Sequence, residues 1–148
     1  MTTEPSTELS TEPADDRRRD RNLAAVEAAF RGVSNADAVE QTAQYTDDAV
    51  LELPYTTPPK RVEGKAAALQ YLTNAFTVFK MRLTITDVHR CVDPDELVVE
   101  FVSEGIVATT GKSYANQYIN VFRFRDGKIC FQREFFNPNA ATAALIAD

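Results

Sequence analysis

The chain has 148 residues, 44% of them hydrophobic, which suits one globular domain around a single core. Its net charge of −6 disfavours a phosphate backbone as partner, so no nucleic-acid binding is expected. Charges interrupt every long apolar stretch, which argues against a membrane segment, and two cysteines, Cys91 and Cys130, are too few for a disulfide framework.

The opening MTTEPSTELSTEPADD is acidic, rich in Thr and Pro, and holds a single Leu. Such a segment buries too little apolar surface to offset its ordering entropy. Residues 1–15 are therefore expected as a disordered tail and 16–148 as one domain. The opening lacks the basic-then-apolar order of a signal peptide, and with reduced thiols the expectation is a cytoplasmic protein. RRRDRNLAAVEAAFRGV, residues 17–33, sets Leu23, Val26, Phe30 and Val33 at helical spacing, with Asp15 or Asp16 as cap. A shorter helix is expected from Asn35, a good capping residue, to about Tyr45. A strand over 49–55 then runs into a loop made by Pro58 and Pro59. Residues 64–79 predict a third helix, with Leu69, Leu72, Phe76 and Phe79 on one stripe.

Beyond this helix the period changes to two. MRLTITDVHRCV alternates Leu83, Ile85, Asp87 and His89 against Arg82, Thr84, Thr86 and Val88. Strands are predicted over 82–91, 96–110, 112–125 and 128–137 in an antiparallel meander. Asp126-Gly127 is a strong hairpin signal between the last two. Helices early and antiparallel strands late mean an α+β fold, with helices packed on one face of a curved sheet and a pocket between them.

The last strand, KICFQREFFN, carries the chemistry. Alternation puts Ile129, Phe131, Arg133 and Phe135 on one face, and Cys130, Gln132, Glu134 and Phe136 on the other. An isolated carboxylate among aromatics is costly unless it is paired, hydrogen-bonded or protonated. Glu134 is thus the candidate general acid or base, with a raised pKa; the alternative is an ion pair with an inward Arg or Lys. His89, the single histidine, is a second catalytic candidate because it titrates near neutrality, although a lone strand histidine is more often structural. Glu100 shares parity with Val98 and Val102 and is a candidate second acid. Tyr55 and Tyr71 are candidate rim or pocket donors. No glycine-rich phosphate loop, nucleophile elbow or metal-ligand cluster is read, so neither cofactor nor metal is expected.

Tyr114, Asn116, Phe122, the run Asp126-Gly127-Lys128-Ile129, Arg133-Glu134-Phe135 and Asn137 carry a family resemblance, with Gly64-Lys65 in the first half. Over roughly residues 20–138 the chain resembles the NTF2-like superfamily, the cone-shaped α+β fold of ketosteroid isomerases and SnoaL-like polyketide cyclases. Within it the chain is most similar to the PhzA/PhzB type of phenazine biosynthesis. The resemblance implies a curved antiparallel sheet and three helices enclosing a pocket. It carries the strand glutamate of the phenazine type onto Glu134, while that type's pocket histidine corresponds to Tyr71. The isomerase helix tyrosine and strand aspartate fall at Phe30 and Leu53, and their second aspartate at Asn120. That match places Tyr118, Asn120 and Phe122 on the pocket face, with Phe136 beside Glu134. Tyr118 and Asn120 would hold a substrate oxygen; Phe122 and Phe136 would be apolar walls.

The resemblance implies a cofactor-independent enzyme of secondary metabolism. It would perform cyclisation, isomerisation or condensation by proton transfer on a polyketide-like or aromatic small molecule. The alternatives are a non-catalytic binding domain, or an epoxide hydrolase or epoxide-opening cyclase using Glu100. It also implies a homodimer joined through the convex sheet face, where Ile119, Val121, Ile129 and Phe131 are expected.

Overall fold

The computed structural model describes residues 5–148, with side chains from residue 12 onward. Its elements run α1 (Pro5–Ser34), α2 (Ala38–Thr42), β1 (Tyr45–Leu53), β2 (Lys60–Glu63), α3 (Lys65–Ala75), β3 (Phe79–Arg90), β4 (Glu96–Val107), β5 (Ser113–Arg125), β6 (Lys128–Phe136) and α4 (Pro138–Leu145). The strands form one curved sheet in the order β2-β1-β6-β5-β4-β3. The expected meander β3-β4-β5-β6 is antiparallel throughout. The sheet as a whole is mixed, because β1 runs parallel to β6.

Several elements depart from the sequence reading for local reasons. The first helix starts at Pro5 rather than near Arg17, so residues 5–15 of the expected tail are helical; residues 1–4 lie outside the described residues. Asp37, not Asn35, caps α2, accepting from Glu40 N at 3.0 Å. Tyr45 therefore opens β1 instead of closing a helix. Four-residue β2 is too short to show a period, and it is held by pairing with β1. Helix α4 has a proper start, with Asn137 accepting from Asn139 N and Pro138 in the first turn. Its Ala-rich sequence has no apolar stripe to announce it.

The basic run that opens the domain is spent on the chain itself. Arg18 pairs with Asp95, and Arg19 donates to the carbonyls of Cys91 and Val92 at 3.0 and 3.2 Å. Fully buried Asn22 donates to Pro94 O and Asp95 Oδ1, each at 3.0 Å. Desolvation opposes the charge on Asp95, yet the bonds from Asn22 and Arg18 hold its carboxyl below the usual range. This clamp fixes α1 across the β3–β4 loop. Among the described residues, no helix is long and apolar enough to cross a membrane.

The concave face carries the core, including Val26, Phe30, Leu97, Val99, Phe101 and Phe122. Two irregularities decide what points there. In β3 the register steps from Ile85↔Phe101 to Asp87↔Glu100, leaving Thr86 unpaired. The alternation flips across this bulge, so Leu83 and Ile85 face the core while His89 turns outward with Asp87. In the β5–β6 pair Arg123↔Phe131 is followed by Phe124↔Ile129, leaving Cys130 unpaired. Ile129 is consequently 1% exposed in the core and is not on the convex face. The hairpin turn is as expected: Asp126 and Gly127 have φ of 51° and 79°, the paired positive values that Asp-Gly favours. Gly105 meets a different need. A Cβ there would lie 1.9 Å from Lys80 O, so only glycine lets β3 approach β4 so closely.

Candidate active site

Helices α1, α2 and α3 lie over the concave sheet, α4 closes one side, and a cavity of about 240 Å³ remains between them. Its walls are chiefly apolar, with Phe30, Leu53, Leu72, Phe76, Phe101 and Leu145 among them. Glu134 is the one carboxylic acid among the described lining residues. Strand β6 sends Gln132, Glu134 and Phe136 into this space, as the alternation predicted.

Glu134 is half-buried, and what it exposes is turned to the cavity. Burial pushes its pKa from 4.5 up to about 7, and the hydrogen bond from Asn120 offsets only part of that rise. That bond runs from Asn120 Nδ2 to Glu134 Oε1 at 3.3 Å. Among the described residues no cation forms an ion pair with it. Arg133, the neighbour in sequence, points to the other face and donates to Glu52 at 2.8 Å. The structural ion pair weighed from the sequence is therefore absent at this carboxylate. Asn120, expected on the pocket wall, is instead fully buried outside the cavity lining, and among the described residues its Oδ1 has no partner. Its amide can serve both protonation states: Nδ2 donates to the carboxylate, and the turned amide accepts from the acid.

Tyrosines surround this group. Tyr71 and Tyr118 line the cavity as expected, and Tyr114 joins them. Burial above all raises the phenols of Tyr45, Tyr71, Tyr114 and Tyr118; the charge of Glu134 adds to each, and at Tyr118 the neighbouring Tyr114 adds more. All four are neutral donors near neutral pH. Tyr118 stacks on Phe101 at 4.6 Å and 3°, and its hydroxyl touches Ser103 Oγ at 2.8 Å and Tyr114 OH at 3.1 Å. A second network joins Gln41 Nε2 to Tyr45 OH at 3.0 Å, and Tyr45 OH to Gln132 Oε1 at 2.7 Å. Gln41, in the lining, has a buried Oε1 without a partner among the described residues.

Other candidates stand elsewhere. Phe136 lines the cavity; Phe122 does not, being fully buried behind it against Phe30 and Phe124. Tyr55 is 53% exposed and packs its ring on Phe135 at 5.4 Å, outside the cavity lining. His89 and Glu100 sit together on the outer face, with Nε2 to Oε2 at 2.5 Å and Asp87 at 3.6 Å. The bulge at Thr86 accounts for His89, and Glu100 lies opposite in parity to core-facing Phe101. The hydrogen bond from Glu100 holds the imidazole above its usual range. The ligand atoms of Asp87, His89 and Glu100 lie within 4.8 Å of one another, close enough for one metal ion to bridge. None of the three lines the cavity. What the sequence reading missed were Ser103, Tyr114 and Asn116 as a set. Parity with Tyr118 marks Tyr114 and Asn116, and parity with Phe101 marks Ser103.

Relatives fit this geometry. YesE of Bacillus subtilis, an uncharacterised protein, is 35% identical over 105 residues, covering 69% of this chain and 71% of the relative. An uncharacterised PhzA/B-like protein of Pseudomonas aeruginosa is 31% identical over 118 residues, covering 78% and 84%. A crystal structure from Bacillus subtilis, provisionally designated an isomerase, superposes with a TM-score of 0.81 at 29% identity, covering 86% of this chain and 94% of that one. Residues 26–132 match the SnoaL-like domain, and the chain belongs to that family of NTF2-like proteins.

Proposed function

We propose that this chain is a cofactor-independent enzyme that moves a proton on an apolar, flat or polyketide-like molecule, with Glu134 as the acid–base group. One observation carries the reading: a carboxyl facing an apolar cavity, with no ion-paired cation among the described residues, its pKa raised by burial to about 7. A group near the working pH both takes and returns a proton, and this is the usual position of a general acid–base catalyst. The apolar wall excludes water from the reacting carbon. Cyclase and isomerase chemistry in the family is consistent with this role. Epoxide opening is the weaker reading, because its second acid, Glu100, stands outside the cavity. A cavity of about 240 Å³ lies below the ~300 Å³ floor of drug-sized pockets, which favours a compact ligand.

The test uses a small enolisable ketone, 2-tetralone, in deuterated water. The wild type should exchange the protons beside the carbonyl, and Glu134→Gln should lose most of that rate. Absence of catalysed exchange in the wild type would sink the reading.

The outer sheet face is assigned to a second copy of this chain. Ile119 is 40% exposed there, beside half-buried Val121 and Phe131. Arg123 and Arg133 stack on Phe131 at 4.9 and 5.0 Å and pair with Glu96 and Glu52. An apolar strip edged by both signs of charge is self-complementary about a two-fold axis. Light scattering at micromolar concentration should return twice the 16.5 kDa of one chain. A single-chain mass would refute the pairing.

A further inference from the structure

We propose that Asp87, His89 and Glu100 form a binding site for a divalent transition ion, zinc by its donor set, which ties the edge strand β3 to β4 beside the bulge at Thr86. The site is separate from the cavity, and none of its three ligands lines it.

The backbone brings the three donors together. Strand β3 ends the sheet and is paired on one side only, with β4. Before the bulge Ile85 stands opposite Phe101; continued without a slip, that register would set Asp87 against Val99 and His89 against Leu97, both core residues. The extra residue at Thr86 instead sets Asp87 opposite Glu100 and His89 opposite Val98. All three side chains then share the outer face, 60%, 47% and 44% exposed for Asp87, His89 and Glu100. Bulges commonly re-aim side chains in this way. The sequence reading expected no metal because the donors are an Asp-x-His pair and a glutamate eleven residues on, which meet only through this slip.

The spacing suits one ion. His89 Nε2 lies 2.5 Å from Glu100 Oε2 and 3.6 Å from Asp87 Oδ2, and the three ligand atoms lie within 4.8 Å of one another. Donors about 2.1 Å from a tetrahedral zinc stand roughly 3.4 Å apart. The Asp87–His89 separation already fits. The Glu100–His89 contact reaches it by a turn of a half-exposed side chain, and the ion replaces the proton shared there. Both ligand-bearing strands are held by ladder hydrogen bonds, which fixes their Cα positions.

Charge points the same way. Glu52, Glu96, Glu104, Asp16 and Asp95 each pair with an arginine. Among the described residues Asp87 and Glu100 have no Lys or Arg partner, and His89 serves both. One imidazole carries at most one positive charge against two carboxylates; a divalent ion balances both, with the imidazole as a neutral donor. A nitrogen donor argues against magnesium or calcium, which take oxygen ligands. One imidazole and two carboxylates suit zinc, with a fourth position left to water. The strip assigned above to a second copy runs over β5 and β6 and borders the site at Ile119, opposite Glu100. Each copy holds all three ligands itself.

The experiment titrates the untagged chain with zinc chloride near neutral pH. His89 is the single histidine, so its two imidazole nitrogen-15 resonances report this site alone. One equivalent of zinc should move both to saturation. The melting midpoint should rise by roughly 5–10 °C when zinc exceeds its dissociation constant about a hundredfold. Asp87→Asn and Glu100→Gln keep the shape and each remove an anionic donor. Each should weaken binding roughly tenfold or more, since even partners outside the ligand shell are worth 10- to 100-fold. His89→Ala should lose one-to-one binding, and Cys91→Ser, two residues on, should bind as the wild type does. Without zinc all four variants should melt close to the wild type, because exposed ion pairs contribute little. Resonances that stay in place at millimolar zinc leave a plain ion triad and overturn the proposal. So do a shift that survives both carboxylate changes, which marks a lone imidazole, one-to-one binding that persists in His89→Ala, and binding lost in Cys91→Ser.

Discussion

Glu134→Gln is expected to lower proton exchange by roughly 10²- to 10⁴-fold, the usual worth of a positioned acid–base group, and to melt higher than the wild type above pH 7. The two effects have one cause. In the unfolded chain this carboxyl ionises near 4.5; in the fold, burial delays ionisation to about 7. Between those values the native state binds more protons than the unfolded state, so stability falls as pH rises. The contribution is intact below 4.5 and is lost as pH passes through about 7. Converted at 1.36 kcal/mol per unit, the loss is at most about 3 kcal/mol. Glutamine has nearly the same shape and does not titrate. The variant and the wild type should share a midpoint near pH 4 and diverge up to pH 7. For a chain of this size the gap should then reach roughly 6–12 °C. As a base, Glu134 must be ionised, so wild-type exchange should rise through about pH 7. A lowered midpoint with unchanged exchange would make Glu134 a structural residue.

The polar face of the last strand was legible because nothing interrupts its alternation from Gln132 to Phe136. Glu134 and Phe136 could be placed together for that reason; Tyr118 and Asn120 joined them through the family resemblance at Asn120, and the Asp126-Gly127 turn set the pairing of the two strands. Reading failed where the ladder slips. The bulges at Thr86 and Cys130 each insert one residue, so His89 and Ile129 moved to the faces opposite those expected. Neither site carries a glycine or proline to mark it. The parallel pairing of β1 with β6 was equally hidden, because β1 is held by partners far along the chain. Tyr114 and Asn116 share the alternation of Tyr118. Ser103 shares that of Phe101, which the sequence had not marked as a pocket residue.

Phe122→Ala is expected to cost roughly 3–5 kcal/mol of folding free energy, the range for truncating a buried phenylalanine. The sequence had placed Phe122 on the pocket wall, and its face was read correctly. Depth decided otherwise: Phe122 has no exposed surface, with Leu97 and Gln132 as its cross-strand neighbours. Its ring lies 6.3 Å from Phe30 and 6.1 Å from Phe124. Truncation leaves a void that these rings only partly refill, so lost transfer energy and lost contacts add. The midpoint should fall by roughly 6–20 °C. Phe122→Leu keeps most of the volume and should cost less than about 1.5 kcal/mol. In both variants the folded protein should bind 2-tetralone nearly as the wild type does, because the cavity wall is made by Phe30 and Phe101 in front. Denaturant unfolding and ketone titration on the same samples separate the two roles. A small stability change with a large loss of ketone affinity would return Phe122 to the site.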